Sequence, residues 1–168
     1  RGLTRHQHGI HFRRIVMDIE DHESVDLVGD AHCLSTLIPA GSVDAIVSVS
    51  TFEHILMPWK VAVEMAKILK PGGAIYIQSH QAEGLHDSPY DYWRFSDMAW
   101  HGLFNAHTGF EVTATVMSAP ATILPLRRPV KHPLVEYAAG YRNSAVAAVK
   151  VGEPTVDWEV ARETVVDG

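Results

Sequence analysis

Between Val43 and His80 the hydrophobic period changes twice. After Asp44 comes the apolar, β-branched-rich run Ala45 to Val49, the pattern of a short strand buried on both faces in a parallel sheet. Pro58 then suits a first helical turn. Val61, Met65, Ile68 and Leu69 recur at three- and four-residue spacing, while Lys60, Glu64, Lys67 and Lys70 fall largely on the other side. Pro71-Gly72-Gly73 stops the helix and Ala74 to Gln78 resumes as an apolar strand. The stretch predicts a βαβ unit with parallel strands and a right-handed crossover.

The same reading extends outward. Residues 1 to 14 are polar, lack clear periodicity and are expected to form a flexible arm. Arg14 to Ile19 and Val25 to Val28 predict two strands, the first with an acidic residue near its carboxyl end. Ser96 suits an N-cap for a helix through Met98, Trp100, Leu103 and Phe104 that ends near Gly109. Phe110 to Met117 alternates as a strand, Pro120 to Pro133 predicts an irregular crossing with a short helix around Leu134 to Ala139, and Asn143 to Val151 is a final strand. Residues 152 to 168 read as a tail with a short helix over Val156 to Val165. No repeat is visible, and the 168 residues are expected to form one α/β domain.

Composition narrows the function. Apolar residues at 46% and charged residues at 20% describe a globular chain, and no apolar run is long enough to span a membrane. No signal peptide is visible, and one cysteine, Cys33, fits a reducing cytoplasm. A net charge of −6 argues against nucleic acid and favours a small-molecule substrate. Arg127, Arg128 and Lys131 form a short basic cluster expected to be solvated. Oligomeric state is not readable.

A strand opening at Asp44, the pair Glu53-His54 after it, and a helix ending Leu69-Lys70-Pro71-Gly72-Gly73 before another strand together resemble the class I S-adenosylmethionine-dependent methyltransferases. No single piece is specific; the combination is. The resemblance implies a Rossmann-like three-layer αβα sandwich, its sheet mostly parallel with an antiparallel carboxyl-terminal strand, and S-adenosylmethionine as cofactor. It places Asp18 where a carboxylate accepts from two vicinal ribose hydroxyls, with Ile19 beside it. It gives Asp30 and Ala31 the adenine contacts, the carboxylate accepting from the amino group and the backbone amide facing the ring. Ser48 completes the expected cofactor set. The family's glycine-rich loop belongs before the acidic strand, where only Gly2 and Gly9 occur. The sheet is therefore expected to be incomplete at its amino-terminal side, with apolar strand edges left open.

Gln81 to Phe95, QAEGLHDSPYDYWRF, is polar and aromatic and follows the carboxyl end of a strand, where open α/β sheets bind ligands. It resembles a His-(x)-x-x-Pro-x-Asp-Tyr-Trp/Phe-Arg-Phe/Tyr pattern in a subgroup of these methyltransferases that includes enzymes of glycan and natural-product pathways. Tyr92, Trp93 and Phe95 are expected to pack as structure. A hydroxyl acceptor needs a base that titrates near neutrality, which makes His54, His80 and His86 the catalytic candidates, with Asp87 or Asp91 placed to orient an imidazole. Ser50-Thr51-Phe52-Glu53 stands where methyltransferases of amino groups carry Asn/Asp-Pro-Pro-aromatic, so a hydroxyl of a sugar or another secondary metabolite is the expected acceptor. A non-catalytic methyltransferase-like module is the alternative, while a nicotinamide dehydrogenase would need a Tyr-x-x-x-Lys pair that the chain lacks. No metal site is expected, since His6, His8 and His11 match no established spacing.

Overall fold

The structure is a computed structural model, and it describes residues 4–7, 10–123 and 139–166. The expected arm carries an antiparallel pair instead, β1 (Thr4–Gln7) with β2 (Ile10–Arg13), in register from Thr4 opposite Arg13 to Gln7 opposite Ile10. Pairing so close in sequence costs little loop entropy, so eight residues with almost no apolar pattern still form a ladder. The next two strands are shorter than expected: β3 (Met17–Asp18) lies parallel to β4 (Leu27–Val28). Around them the Val16 carbonyl accepts from the amides of Asp26 and Leu27, and the Asp18 carbonyl from that of Gly29.

The main sheet has the order β5 (Val43–Val49), β6 (Leu69–His80), β8 (Ala139–Lys150), β7 (Phe110–Thr122). β5 and β6 are parallel, and both β8 pairings are antiparallel, as the predicted βαβ unit and closing hairpin require. β6 begins five residues before the predicted Ala74. Leu69 already pairs with Val43, and the register shifts before Ala45 meets Ala74. Pro71-Gly72-Gly73 thus forms an irregularity within the strand, with Gly72 at φ +76°. β7 runs on through Pro120, opposite Tyr141, where the sequence predicts an irregular crossing. β7 is the edge strand, and an edge tolerates the missing amide. Residues 124–138, including the expected helix from Leu134 and the cluster of Arg127, Arg128 and Lys131, lie outside the described residues; Ala139 is in β8.

α2 (Pro58–Ile68) connects β5 to β6 and buries Val61, Ala62, Met65, Ala66 and Ile68. These pack with Ile75 and Ile77 of β6 and Val146 and Ala148 of β8. α3 (Asp97–Leu103), N-capped by Ser96, adds Trp100 to an aromatic cluster with Phe52, Phe95, Phe104 and Phe110. The predicted solvent face of α2 is not solvent-facing. Glu64 is buried, accepting from the Ser35 amide of α1 (Leu34–Leu37) at 2.7 Å and from Lys67 at 2.9 Å. The expected tail lies across the same helix: Lys60 donates to the Val160 carbonyl, Lys67 reaches Asp157, and Trp59 meets Trp158 edge-on. The tail's helix, α4, spans Arg162–Val166 instead of starting at Val156. β5 is not covered on both faces as predicted; Val47 is 70% exposed and Val49 53% exposed. Among the described residues no helix is long and apolar enough to cross a membrane.

Candidate active site

The carboxyl ends of β5 and β6 face the segment that follows each strand. Ser50 leaves β5 in the left-handed backbone region (φ +52°), its amide donating to the Gln78 carbonyl of β6. Such a non-glycine residue costs energy that surrounding structure must offset, and these positions concentrate at functional sites. The next turn, Phe52–His54, sends Phe52 and Glu53 inward, both with no exposed surface.

Glu53 is the centre of the arrangement. Its Oε2 accepts from the Ser79 hydroxyl at 2.5 Å, and its Oε1 lies 2.9 Å from His80 Nδ1 and 4.0 Å from His54 Nε2. His86 completes the group, with its ring 5.0 Å from that of His54 and 5.1 Å from that of His80. The three histidines singled out from the sequence therefore converge around one buried carboxylate. Oε1 and His80 Nδ1 are close but off hydrogen-bonding geometry, so neither makes a hydrogen bond although both are buried.

The 81–95 segment is held by its backbone and by Arg94. The Glu53 carbonyl accepts from the amides of Tyr92 and Trp93, and the His80 carbonyl from that of Phe95. The Arg94 guanidinium grips Asp91 through both oxygens, at 2.6 and 2.8 Å, and reaches the carbonyls of Glu83, Gly84 and Trp93. That guanidinium, with the His86 amide, holds the Asp91 carboxyl well below the usual carboxylate range. Asp91 therefore fixes the loop; His86 Nδ1 bonds to the Gly84 carbonyl at 3.0 Å and stands 3.7 Å from Asp91. Asp87 lies 3.7 Å from Nε2 of His54, not against His86 as a reading of neighbours suggests. Of the loop aromatics, Phe95 stacks on Trp100 in the core, and Trp93 donates to the Leu56 carbonyl and meets Trp59 edge-on, both structural as expected.

Beside this cluster opens a cavity of about 380 Å³ lined by His80, Glu83, Gly84, Leu85, His86 and Arg142. It is open to solvent, and an ion pair between Glu83 of the loop and Arg142 of β8 forms part of its wall. The size suits a small molecule, and its polar rim offers donors and an acceptor for hydroxyls.

The residues expected to meet a cofactor lie at the carboxyl ends of β3, β4 and β5. Asp18 ends β3 with its carboxylate about half exposed; Oδ1 takes the Glu20 amide, and His22 is 3.8 Å from Oδ2. Ile19 beside it is exposed. Asp30 caps the turn Ala31–Cys33, and its Oδ1 takes both the amide and Nδ1 of His32, at 2.8 and 2.6 Å. Burial pushes its carboxyl up, but the His32 bonds overcome this and leave it below its ordinary value. Oδ2 stays clear of those bonds, with Arg162 3.8 Å away. Sequence reading overlooked His32. Buried, it passes the contact on by accepting from the Met57 amide at 3.1 Å, tying the end of β4 to the start of α2. Ser48 lies in β5 one residue before its end, and no strand pairing joins β5 to β3 or β4 among the described residues. Asp18 Oδ2 and Asp30 Oδ2 accept no hydrogen bond but each faces a basic side chain, His22 and Arg162, at 3.8 Å.

A parallel βαβ unit closed by an antiparallel hairpin, with polar groups gathered at the strands' carboxyl ends, defines a Rossmann-like α/β domain. Residues 7–77 match the family model described as a methyltransferase domain. The fold is shared with a methyltransferase of Archaeoglobus fulgidus described as SAM-dependent, at 13% identity and TM-score 0.59, covering 81% of this chain and 75% of that one. A Methanosarcina mazei protein described as a SAM-dependent methyltransferase matches at 16% identity and TM-score 0.51, covering 77% and 68%. A Haloferax volcanii methyltransferase solved in complex with the Trm112 methyltransferase activator matches at 20% identity and TM-score 0.50 over 78% of this chain, which spans 64% of that protein's length. At these identities the structural likeness is one of fold. No curated protein matches the chain by sequence. Over residues 7–77 the chain is thus similar to a methyltransferase domain, and its fold is one that proteins described as SAM-dependent methyltransferases share.

Proposed function

We propose that the chain transfers a methyl group from S-adenosylmethionine to a hydroxyl of a small polyhydroxylated acceptor, a sugar or another secondary metabolite, seated in the cavity between the 81–95 segment and β8. The carrying observation is the buried Glu53 carboxylate 2.9 Å from His80, at a cavity that His80 itself lines. On this reading Asp18 takes the ribose hydroxyls, Ile19 and Ala31 flank the adenine, Asp30 accepts from its amino group through Oδ2, and Ser48 borders the cofactor.

When bound, S-adenosylmethionine supplies an electrophilic methyl group on a sulfonium centre. His80 takes the acceptor's hydroxyl proton as the new oxygen–carbon bond forms, using the nitrogen that does not face Glu53. Glu53 orients the ring and stabilises the imidazolium, in the manner of a carboxylate behind a general base. Glu83 and Arg142 fix the acceptor's other hydroxyls, so that the reacting oxygen meets the methyl carbon in line.

The test is release of S-adenosylhomocysteine over a panel of sugars, glycosides and phenols. His80→Ala is expected to lower kcat by about 10²–10⁴-fold, the usual worth of a general base, with cofactor affinity unchanged. Full activity in that variant removes His80 from the mechanism. Tight cofactor binding with no transfer across the panel favours the non-catalytic module instead.

A further inference from the structure

A cluster that adjoins the cavity through His86 offers more than a general base requires. Glu53, His54 and His86 each bring a ligand atom to within 4.8 Å of the other two. We propose that these three residues form a binding site for a divalent transition-metal ion of the zinc class. The proposal rests on the donors themselves and stands whether or not the acceptor reading holds.

Tautomers come first. His54 Nδ1 bonds to the Tyr90 carbonyl at 2.9 Å and His86 Nδ1 to the Gly84 carbonyl at 3.0 Å. A carbonyl only accepts, so both rings carry their proton on Nδ1 when neutral, and Nε2 keeps a bare lone pair. A backbone carbonyl fixing the tautomer from behind is the arrangement that metal-binding imidazoles use. The two carbonyls belong to the loop that Arg94 holds in place, so the donors are positioned by structure that owes nothing to a metal.

The carboxylate is the independent observation. Glu53 is fully buried, and its Oε1 makes no hydrogen bond, while Oε2 is already taken by Ser79. A buried carboxylate oxygen that accepts no hydrogen bond costs energy that a cation in front of it would recover. His80, 2.9 Å from the same oxygen, leaves a second lone pair of Oε1 open.

Distances and charge fit. Ligands about 2.1 Å from a tetrahedral ion stand roughly 3.4 Å apart, so the 4.0 Å between His54 Nε2 and Glu53 Oε1 closes by side-chain rotation of roughly 0.6 Å. Asp87, 3.7 Å from His54 Nε2, adds negative charge at the entrance. The one nearby cation on the loop, Arg94, is neutralised by its two-pronged contact with Asp91. Two imidazoles and one carboxylate select a borderline ion over Mg²⁺ or Ca²⁺, which prefer oxygen throughout. Three protein ligands leave a coordination position free, and His86 lines the cavity, so that position is available to water or to an acceptor oxygen.

The test uses the whole chain, stripped with a chelator and titrated calorimetrically with Zn²⁺ alone. His6, His8 and His11 are replaced by alanine in the reference protein, because a histidine-rich segment takes up zinc unspecifically. This reference is expected to bind one equivalent at micromolar Zn²⁺, and Co²⁺ in its place is expected to give a visible absorption band. His54→Ala, His86→Ala and the isosteric Glu53→Gln should each weaken binding by more than about tenfold, with His107→Ala without effect. Circular dichroism confirms that each variant is folded; should Glu53→Gln unfold, the two exposed-side histidine variants decide. Absence of zinc uptake by the reference, or unchanged affinity in the His54→Ala/His86→Ala double variant, overturns the proposal. Transfer activity is not read, so failure here leaves the methyltransferase reading standing.

Discussion

Ser144→Ala is a deletion of one oxygen whose consequences should reach the site. Ser144 sits on β8 with no exposed surface, and its hydroxyl makes two bonds. It donates to the Phe95 carbonyl at 2.6 Å and accepts from Trp100 Nε1 at 2.9 Å. Phe95 is the last residue of the site loop, its amide donates to the His80 carbonyl, and its ring stacks on Trp100 at 4.5 Å. Alanine leaves the indole N–H and the carbonyl buried with nothing in the hydroxyl's place. An orphaned donor costs about 1–3 kcal/mol and a lost net bond about 1 kcal/mol, so the variant should lose about 2–4 kcal/mol of unfolding free energy. For a chain of this length that is a fall in Tm of roughly 4–16 °C. Urea denaturation should show a lower midpoint with the slope unchanged. A cycle with Trp100→Phe, which keeps a ring and deletes the donor, should show coupling of about 1 kcal/mol. Hydrogen exchange at the Phe95 amide should accelerate with it. A loss below about 0.5 kcal/mol, the range of an ordinary surface change, would refute the idea that this hydroxyl ties the loop to the core.

Three further outcomes follow from other contacts. Arg94→Ala removes the donors to Asp91 and to the Glu83, Gly84 and Trp93 carbonyls, so amides from Leu85 to Tyr92 should lose most of their exchange protection while β6 and β8 keep theirs; uniform loss would mean that the arginine supports the core instead. Burial pushes Glu64 up, but the Ser35 and Lys67 bonds overcome it and leave the carboxyl below its ordinary 4.5. A lowered folded value gives stability that is present above the unfolded value and lost as pH falls through the folded one. The stability gap between the parent and Glu64→Gln should therefore be flat above about pH 4.5 and narrow below it, and a gap that widens on acidification contradicts the assignment. Gly109→Ala forces a side chain onto φ +89° and sets a Cβ 2.6 Å from the Gly152 carbonyl oxygen, so denaturation should show a loss above about 1–2 kcal/mol. A neutral substitution would show that residue 109 and the start of the tail can separate freely.

The sequence made the βαβ unit legible because its signal is periodic and local: a strand-length apolar run, a 3.6-residue stripe from Val61 to Leu69, and a glycine turn. It misplaced what depends on distant partners. Glu64 reads as a solvent-side charge from helix geometry alone and becomes buried because α1 and the tail close over it. β6 starts early because Val43 offers Leu69 a partner, which no pattern within residues 69–73 announces. β7 reaches Thr122 because β8 runs long enough to pair with it, past a proline that only an edge strand accommodates.

The site divides along the same line. His54 and His80 could be singled out because each follows a strand's carboxyl end, and topology alone sends such residues to the ligand-binding edge. His86 could be singled out because its loop follows the same edge. What joins them could not be read. Glu53 looks like half of a surface dipeptide until the turn at Phe52–His54 buries its side chain and leaves that of His54 partly exposed, and the Ser79 hydroxyl that donates to it is 26 residues away. Asp30 shows the converse. An aspartate after a short strand suits both an adenine acceptor and a helix cap, and the structure gives one oxygen to the cap and sets the other 3.8 Å from Arg162. Its partner His32 carries no periodic signal, being a histidine in a turn, yet that ring spans from Asp30 to the Met57 amide and ties the end of β4 to the start of α2. Residue type and position therefore locate the edge where chemistry occurs, whereas the choice of which polar group is buried there belongs to contacts tens of residues apart.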